Sequence, residues 1–406
     1  MPGRTQVMSK ARLHTAALAA IMFMVTAATP AAANFNQFLN GIWPQAKARG
    51  VSEQTFRRAF NGVTPDPKVI ALTRKQAEFV KPIWEYLSTA VSDKRIEKGR
   101  ANYAAYRKVL RVIEQRYGVE GQVVLAVWGM ETNYGGYMGN NNTIRALATL
   151  AYHGYRENFF LNELLNALVI LERGHTTPER MEGSWAGAMG HTQFMPSSFM
   201  KYAADYDGDT HADIWGNVPD ALASTANYLK SFGWRTGETW GYEVDLPRDF
   251  NYALADEKTE RSLAEWRKLG ITRTRGREFP RPDDRAVLVV PAGARGPAFL
   301  MLPNFQVIKR YNNATSYALG VGHLADRIIG GGSFEKSWPE GEPGMSRKDT
   351  EELQILLSRR GFSTGNPDGK AGPQTRAAIR AYQQAAGVTA DGFPSHALLK
   401  QLKNGS

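Results

Sequence analysis

The chain has 406 residues, 43% of them hydrophobic and 22% charged, with a formal net charge of +11 and no cysteine. That length suffices for two or three domains with their own cores, and the apolar content belongs to a folded chain. The missing thiols exclude disulfides, thiolate metal sites, cysteine nucleophiles and a lipid-anchored lipoprotein. Residues 1–33 combine Arg4, Lys10 and Arg12 with the apolar run TAALAAIMFMVTAA and small residues before Asn34. This is the pattern of a secretory signal peptide cut after Ala33. An exported, soluble, periplasmic protein is therefore expected, and its positive charge suits an anionic partner such as cell wall. The apolar run is short for a span of about 20 residues, and no later segment is apolar enough to cross a membrane.

Residues 34–120 alternate helical patterns with turns. SEQTFRRAFNGV opens with a serine and a nearby glutamate, a helix start. TPDPKVIAL, with two prolines, is a loop. NYAAYRKVLRVIEQRYGV places Tyr106, Val109, Leu110 and Ile113 three and four apart, which predicts an amphipathic helix ending at Gly118.

Residues 123–136 read VVLAVWGMETNYGG. On a helix, Val124, Val127, Trp128 and Glu131 share one face, so the carboxyl lies on an apolar stripe beside an indole. Burial disfavours the charged form, and a glutamic acid still protonated near neutral pH can act as a general acid toward a leaving oxygen. Gly135 and Gly136 let a polymer approach the backbone. A glutamate merely bonded to the following turn is the structural alternative. Two more helices are predicted over 143–173, closed by Gly174.

The stretch GSWAGAMGHTQFMPSS (183–198) sets Ser184, His191 and Gln193 beside Trp185, Phe194 and Met195. Its small residues predict a narrow groove wall. Hydrogen-bonding groups next to flat apolar surface suit sugars, which have apolar faces and hydroxyl edges. In DYDGDTHADIW (205–215), Asp205, Asp207, Asp209, His211 and Asp213 alternate as at the start of an EF-hand loop. Thr210 stands at position six and Gly216 at position twelve, two departures from that pattern. The seven histidines show no zinc spacing.

Residues 240–300 read as a small β-rich subdomain with a basic, proline-rich loop, TRTRGREFPRPDD. Helix returns over 316–328. Residues 331–345 form a Gly/Pro/Ser-rich linker, and 346–406 are a separate periodic domain. No basic stripe with interleaved aromatics marks a nucleic-acid surface.

GMETNYG, GSWAGAMGHTQFMPSS and LPNFQVIKRYNNATSYALGVGHLADRI follow one another within residues 34–330. They resemble the three signature stretches of the lytic murein transglycosylases, B type. The resemblance implies a mainly α, lysozyme-like catalytic domain. Its activity would be cleavage of the β-1,4 bond between N-acetylmuramic acid and N-acetylglucosamine in peptidoglycan, leaving a 1,6-anhydromuramic end. It implies that Glu131 is the single acid/base and that Ser184 and Gln193 contact substrate. It implies that Tyr228 lines the cleft and that Tyr311 and Asn312 lie beside the acid, with Tyr317 nearby. Tyr86 would be a further cleft tyrosine. It also implies a structural Ca²⁺ loop of Asp205, Asp207, Asp209 and His211, the last through its carbonyl, closed by Asp220, and no organic cofactor. Residues 346–402 resemble a three-helix peptidoglycan-binding domain, which would raise local substrate concentration around the enzyme.

Two-carboxylate glycosidases need an Asp/Glu pair at a defined separation. None of the three stretches holds a second carboxylate, and the substrate's own acetamido group can stabilise an oxocarbenium-like transition state instead. A carboxylate brought in from elsewhere would make the protein a lysozyme-like hydrolase on the same substrate, and that alternative stays open here. A wall-binding scaffold without activity would require Glu131 to be purely structural.

Overall fold

The computed structural model describes residues 30–74 and 81–405, with side chains from residue 34 onward. The expected leader falls outside the described residues except at its end, where the helix Pro30–Ala48 begins. Among the described residues, no helix is long and apolar enough to cross a membrane.

The fold is arranged around the helix Gly121–Thr132. Val123, Val124, Leu125, Ala126, Val127 and Trp128 are all buried. The expected apolar stripe is thus an apolar circumference, the mark of a central helix. Helices Asp93–Ala105, Arg107–Tyr117, Val218–Ser231 and Thr315–Ile328 pack around it. Close approach needs small residues at the contacts: a Cβ on Gly320, in the helix Thr315–Ile328, would lie 3.0 Å from the Met130 side chain of the central helix. The helix expected over 102–118 is divided at Tyr106, and its second half ends at Gly118 with φ 71°. Ser52 caps the helix Glu53–Phe60 by accepting from the Thr55 amide, so the serine-led start is where the pattern placed it.

A five-stranded antiparallel sheet forms the subdomain, in the spatial order Glu260–Ser262, Arg285–Val289, Ala298–Met301, Gly241–Asp245, Thr272–Arg273. Tyr242 pairs with Leu300 and Leu288 with Leu300, which sets the register of the three central strands. Trp266, Ile271, Leu288 and Leu300 fill its own core.

Residues 331–345 do not behave as a free linker. Phe334 lies against Phe299, with ring centroids 4.9 Å apart, and stacks on His323 at 3.9 Å. The Glu243 carboxylate accepts from the amides of Glu335 and Lys336, and Arg295 pairs with Glu342. Two partly buried aromatic side chains, Phe334 and Trp338, pack on the core and outweigh the Gly/Pro/Ser composition, because removing apolar surface from water is favourable. The segment is a strap along the sheet subdomain.

The tail packs helices Arg347–Arg359, Pro373–Ala385 and His396–Asn404 around Leu353, Leu357, Ile379 and Leu399. A buried glutamine braces each Asp-Gly turn: Gln354 accepts from the amides of Asp368 and Gly369, and Gln383 from that of Gly392. Asp391 also accepts from the Ala294 amide at 2.9 Å, which fastens the tail to the sheet subdomain. A cleft of about 540 Å³ runs between the tail, the strap and Pro82–Trp84.

Candidate active site

Glu131 occupies the last turn of the central helix and is half-buried. Directly after it the chain turns through Asn133, Tyr134 and Gly135, at φ 51°, 57° and 74°. Non-glycine residues rarely adopt this region, and such strain clusters at functional sites. Gly135 is obligatory, because a Cβ there would lie 2.4 Å from the His191 ring. Thr132 supports the turn by accepting from the Gly135 amide at 3.0 Å.

Burial pushes the Glu131 carboxyl up to about 7, against a hydrogen bond from Tyr317 that pulls it down. Its place at the negative end of a helix dipole acts in the same direction as burial. The Tyr317 hydroxyl donates to Oε1 at 2.6 Å. Among the described residues, Oε2 has no protein partner and no second carboxylate contributes to the shift. One oxygen is therefore held and the other is free to meet a ligand.

Tyrosines from three segments of the chain, Tyr86, Tyr228 and the neighbouring Tyr311 and Tyr317, gather here. Tyr86 and Tyr311 are raised first by burial and next by the charge of Glu131, which places both close to the acid. Tyr311 donates to the Thr192 carbonyl at 2.7 Å, and Tyr228 to the Arg310 carbonyl at 2.6 Å. The rings of Tyr228 and Tyr311 lie 4.8 Å apart, and Phe194 packs on both. Tyr228 is thus a buried buttress behind Tyr311, only 8% exposed, rather than an open lining residue. Asn312 is exposed at the end of the helix Pro303–Tyr311.

In the second stretch, Gln193 takes φ 51° and its Nε2 donates to the carbonyls of Met138 and Gly190, both at 2.9 Å. The Ser184 hydroxyl accepts from the Ala188 amide at 3.0 Å. His191 departs from the sequence reading. It is buried, its Nδ1 accepts from the Trp128 indole at 3.1 Å, and burial lowers its pKa. That contact fixes a neutral imidazole as a brace for Trp128, not as a sugar ligand. The glycines also have a different purpose from a groove wall. A Cβ on Gly183 would lie 2.2 Å from the Ala188 carbonyl, and one on Gly190 would lie 2.5 Å from that of Ile214. They are small because backbones cross there. The Trp128–His191 pair and the Thr132 brace were missed by sequence reasoning, and a threonine directly after the acid was the one available signal.

Asp205, Asp207 and Asp209 offer carboxylate oxygens within 4.8 Å of one another. Thr210, at φ 76°, takes the left-handed conformation that position six of such a loop demands. The His211 ring is outside that set of side-chain ligands. Its ring nitrogen lies 3.2 Å from both the Thr210 hydroxyl and the Asp209 carbonyl. Asp220 is fully buried and accepts from the amides of Tyr206 and Asp213, each at 2.8 Å, so it ties the two ends of the loop together. Asp213 pairs with Arg180 at 3.1 Å.

Residues 34–326 match the family model described as Transglycosylase SLT domain. The chain belongs to the SLT transglycosylase family. Residues 346–402 match a peptidoglycan binding domain. A crystal structure of SltB3 from Pseudomonas aeruginosa in complex with NAG-anhNAM-pentapeptide is 48% identical. It covers 91% of this chain and 99% of that one, with a TM-score of 0.88. The membrane-bound lytic murein transglycosylase B of Escherichia coli (strain K12) is 32% identical over 249 residues, which is 60% of this chain and 66% of that protein. The E. coli lytic transglycosylase SLT35 in complex with calcium is 28% identical, covering 73% of this chain and 92% of that chain, with a TM-score of 0.61. Glu131 thus combines a carboxyl raised to about 7 with one oxygen held by Tyr317. The tyrosines around it position it without adding negative charge.

Proposed function

We propose that this protein is a peptidoglycan lytic transglycosylase, cleaving the β-1,4 bond between N-acetylmuramic acid and N-acetylglucosamine and closing a 1,6-anhydro ring. The observation that carries the reading is the lone Glu131 carboxyl at about 7, held at one oxygen by Tyr317. Protonated, it delivers its proton to the leaving glycosidic oxygen. The carboxylate so formed then takes the proton of the muramoyl C6 hydroxyl as that oxygen bonds C1. Proton balance is restored without water. Ser184, Gln193, Asn312 and Tyr86 border the path of the strand, and Tyr228, Tyr311 and Tyr317 keep the acid in place. NAG-anhNAM-pentapeptide, the ligand bound by SltB3, has the anhydro end this reaction yields. Mass spectrometry of digested sacculi tests the reading. Anhydro ends are expected, and ends heavier by one water would make the protein a hydrolase.

The positively charged chain, its peptidoglycan binding tail and its leader-like residues 1–33 support action in the periplasm. The tail is strapped to the enzyme rather than loosely tethered, so it presents wall polymer at a fixed bearing.

The loop at Asp205, Asp207 and Asp209 fits a hard divalent cation, for which oxygen ligands and a left-handed position six are what the chemistry asks. Ca²⁺ there would cancel repulsion among the three carboxylates and stabilise the fold. Chelator treatment is expected to lower the melting temperature by several degrees, with recovery on adding Ca²⁺. The Asp207→Asn/Asp209→Asn variant should lose that response.

A further inference from the structure

The basic loop after residue 272 has no part in the site described above. In the structure it opens on a cleft of about 490 Å³ bordered by Arg273, Arg275, Arg277, Tyr242, His323 and the turn at Gly331. The charges in this cleft can be followed one by one. Arg275 pairs with Glu335 at 2.6 Å. Glu243 is occupied by the amides of the strap. Asp326 is taken by the Trp240 indole at 3.0 Å, and burial pushes its carboxyl up to about 6. Arg273 and Arg277 therefore have no carboxylate partner among the described residues.

Both are held by neutral groups. Arg273 lies over the Tyr242 ring at 4.5 Å and donates to the Glu278 carbonyl at 2.7 Å. Arg277 donates to the Thr274 carbonyl and hydroxyl, both at 3.3 Å. Burial, and next the charge of Arg277, lower the pKa of Arg273, so the two guanidinium groups feel each other. The turn between them holds Arg275 at φ 61°, a strained conformation for arginine. Two mutually repelling forks, each with unused donors, at the edge of a polar cleft are arranged for an oxyanion, which Arg engages in bidentate fashion.

We propose that this cleft is a carboxylate-binding site that holds the peptide stems of the wall polymer, apart from the groove of Glu131. His323 lies six residues beyond Tyr317 on the helix Thr315–Ile328, about 9 Å farther along its axis and on a different face. The inference rests on the transglycosylase reading for the source of the carboxylates and would make peptide-substituted strands the preferred substrate.

The test measures calorimetric binding of an acidic stem pentapeptide, the same peptide with amidated carboxyls, and inorganic phosphate to the full chain. The acidic peptide is expected to bind about tenfold more tightly than the amidated one. Arg277→Glu, an exposed substitution, should remove that difference without changing the melting temperature. Arg273→Lys, which keeps the charge and the contact with Tyr242, should weaken binding by losing the fork. Arg277→Glu should also slow release from peptide-bearing strands while cutting peptide-free glycan at the wild-type rate. Equal affinity for acidic and amidated peptides, or preferential binding of phosphate, would overturn the proposal. Failure of the two readings is separable. A wild-type protein that yields no anhydro ends sinks the transglycosylase reading. One that yields them, while Arg277→Glu treats both glycans alike, sinks only the carboxylate site.

Discussion

Glu131→Gln is expected to lower turnover about a thousandfold or more, the scale of a lost general acid and base, while making the protein more stable at alkaline pH. The two effects share one cause. The folded carboxyl titrates at about 7 against an ordinary 4.5, because burial disfavours its charge. Below pH 4.5 it is protonated in both the folded and unfolded chain, and ionisation contributes nothing to the difference. Between 4.5 and 7 the folded state still holds a proton that the unfolded state has released, so stability falls as pH rises through that window. Above 7 the penalty is constant, at most about 3 kcal/mol for such a shift. Glutamine has no ionisation and escapes it. Urea unfolding of both proteins at pH 4 and pH 8 should show near-equal stability at the first and a more stable variant at the second. The same stability difference at both pH values would mean that the side chain ionises as it does in water. Tyr317→Phe checks the assignment from the other side. It removes the hydrogen bond that lowers the Glu131 pKa, so the alkaline fall of the pH–rate profile should move upward.

The sequence exposes the acid more readily than its setting. Glu131 is legible because a periodic apolar run ends on a carboxyl and a glycine turn, all local features. Tyr86, Tyr228 and the Tyr311–Tyr317 pair carry no local sign that they meet, since they come from three segments far apart in the chain. Only the family resemblance brought them together. His191 stands in the sequence as one more hydrogen-bonding group of a sugar-suited stretch, because composition does not say which way a ring faces. Its partner, Trp128, sits 63 residues away. The strap has the composition of a linker because glycine and proline dominate it by count, while its fold is decided by where Phe334 and Trp338 pack. In the calcium-type loop the reverse holds. Thr210 breaks the residue pattern but keeps the backbone conformation, so the motif survives in geometry where it fails in letters.

The cost of disturbing that setting should be largest at Gly139. Its φ of 91° lies in a region side chains avoid, and a Cβ there would stand 2.1 Å from the Gly183 carbonyl oxygen, a backbone atom that cannot rotate away. The short strand Asn141–Asn142 pairs with Glu182–Gly183 just beyond this crossing, so the clash cannot be relieved without breaking the pairing. Left-handed strain of about 1–2 kcal/mol and overpacking of about 1–3 kcal/mol add for Gly139→Ala, an expected loss of about 3 kcal/mol or more. A loss below about 1 kcal/mol in urea unfolding would show that the two segments can part. Activity should fall beyond what unfolding explains. Met138, the preceding residue, holds the Gln193 side chain through its carbonyl, and the crossing at Gly183 positions Ser184 next to it. A chain forced apart at this point would keep its acid at the end of the central helix and lose the register between that acid and the residues that present a glycan to it.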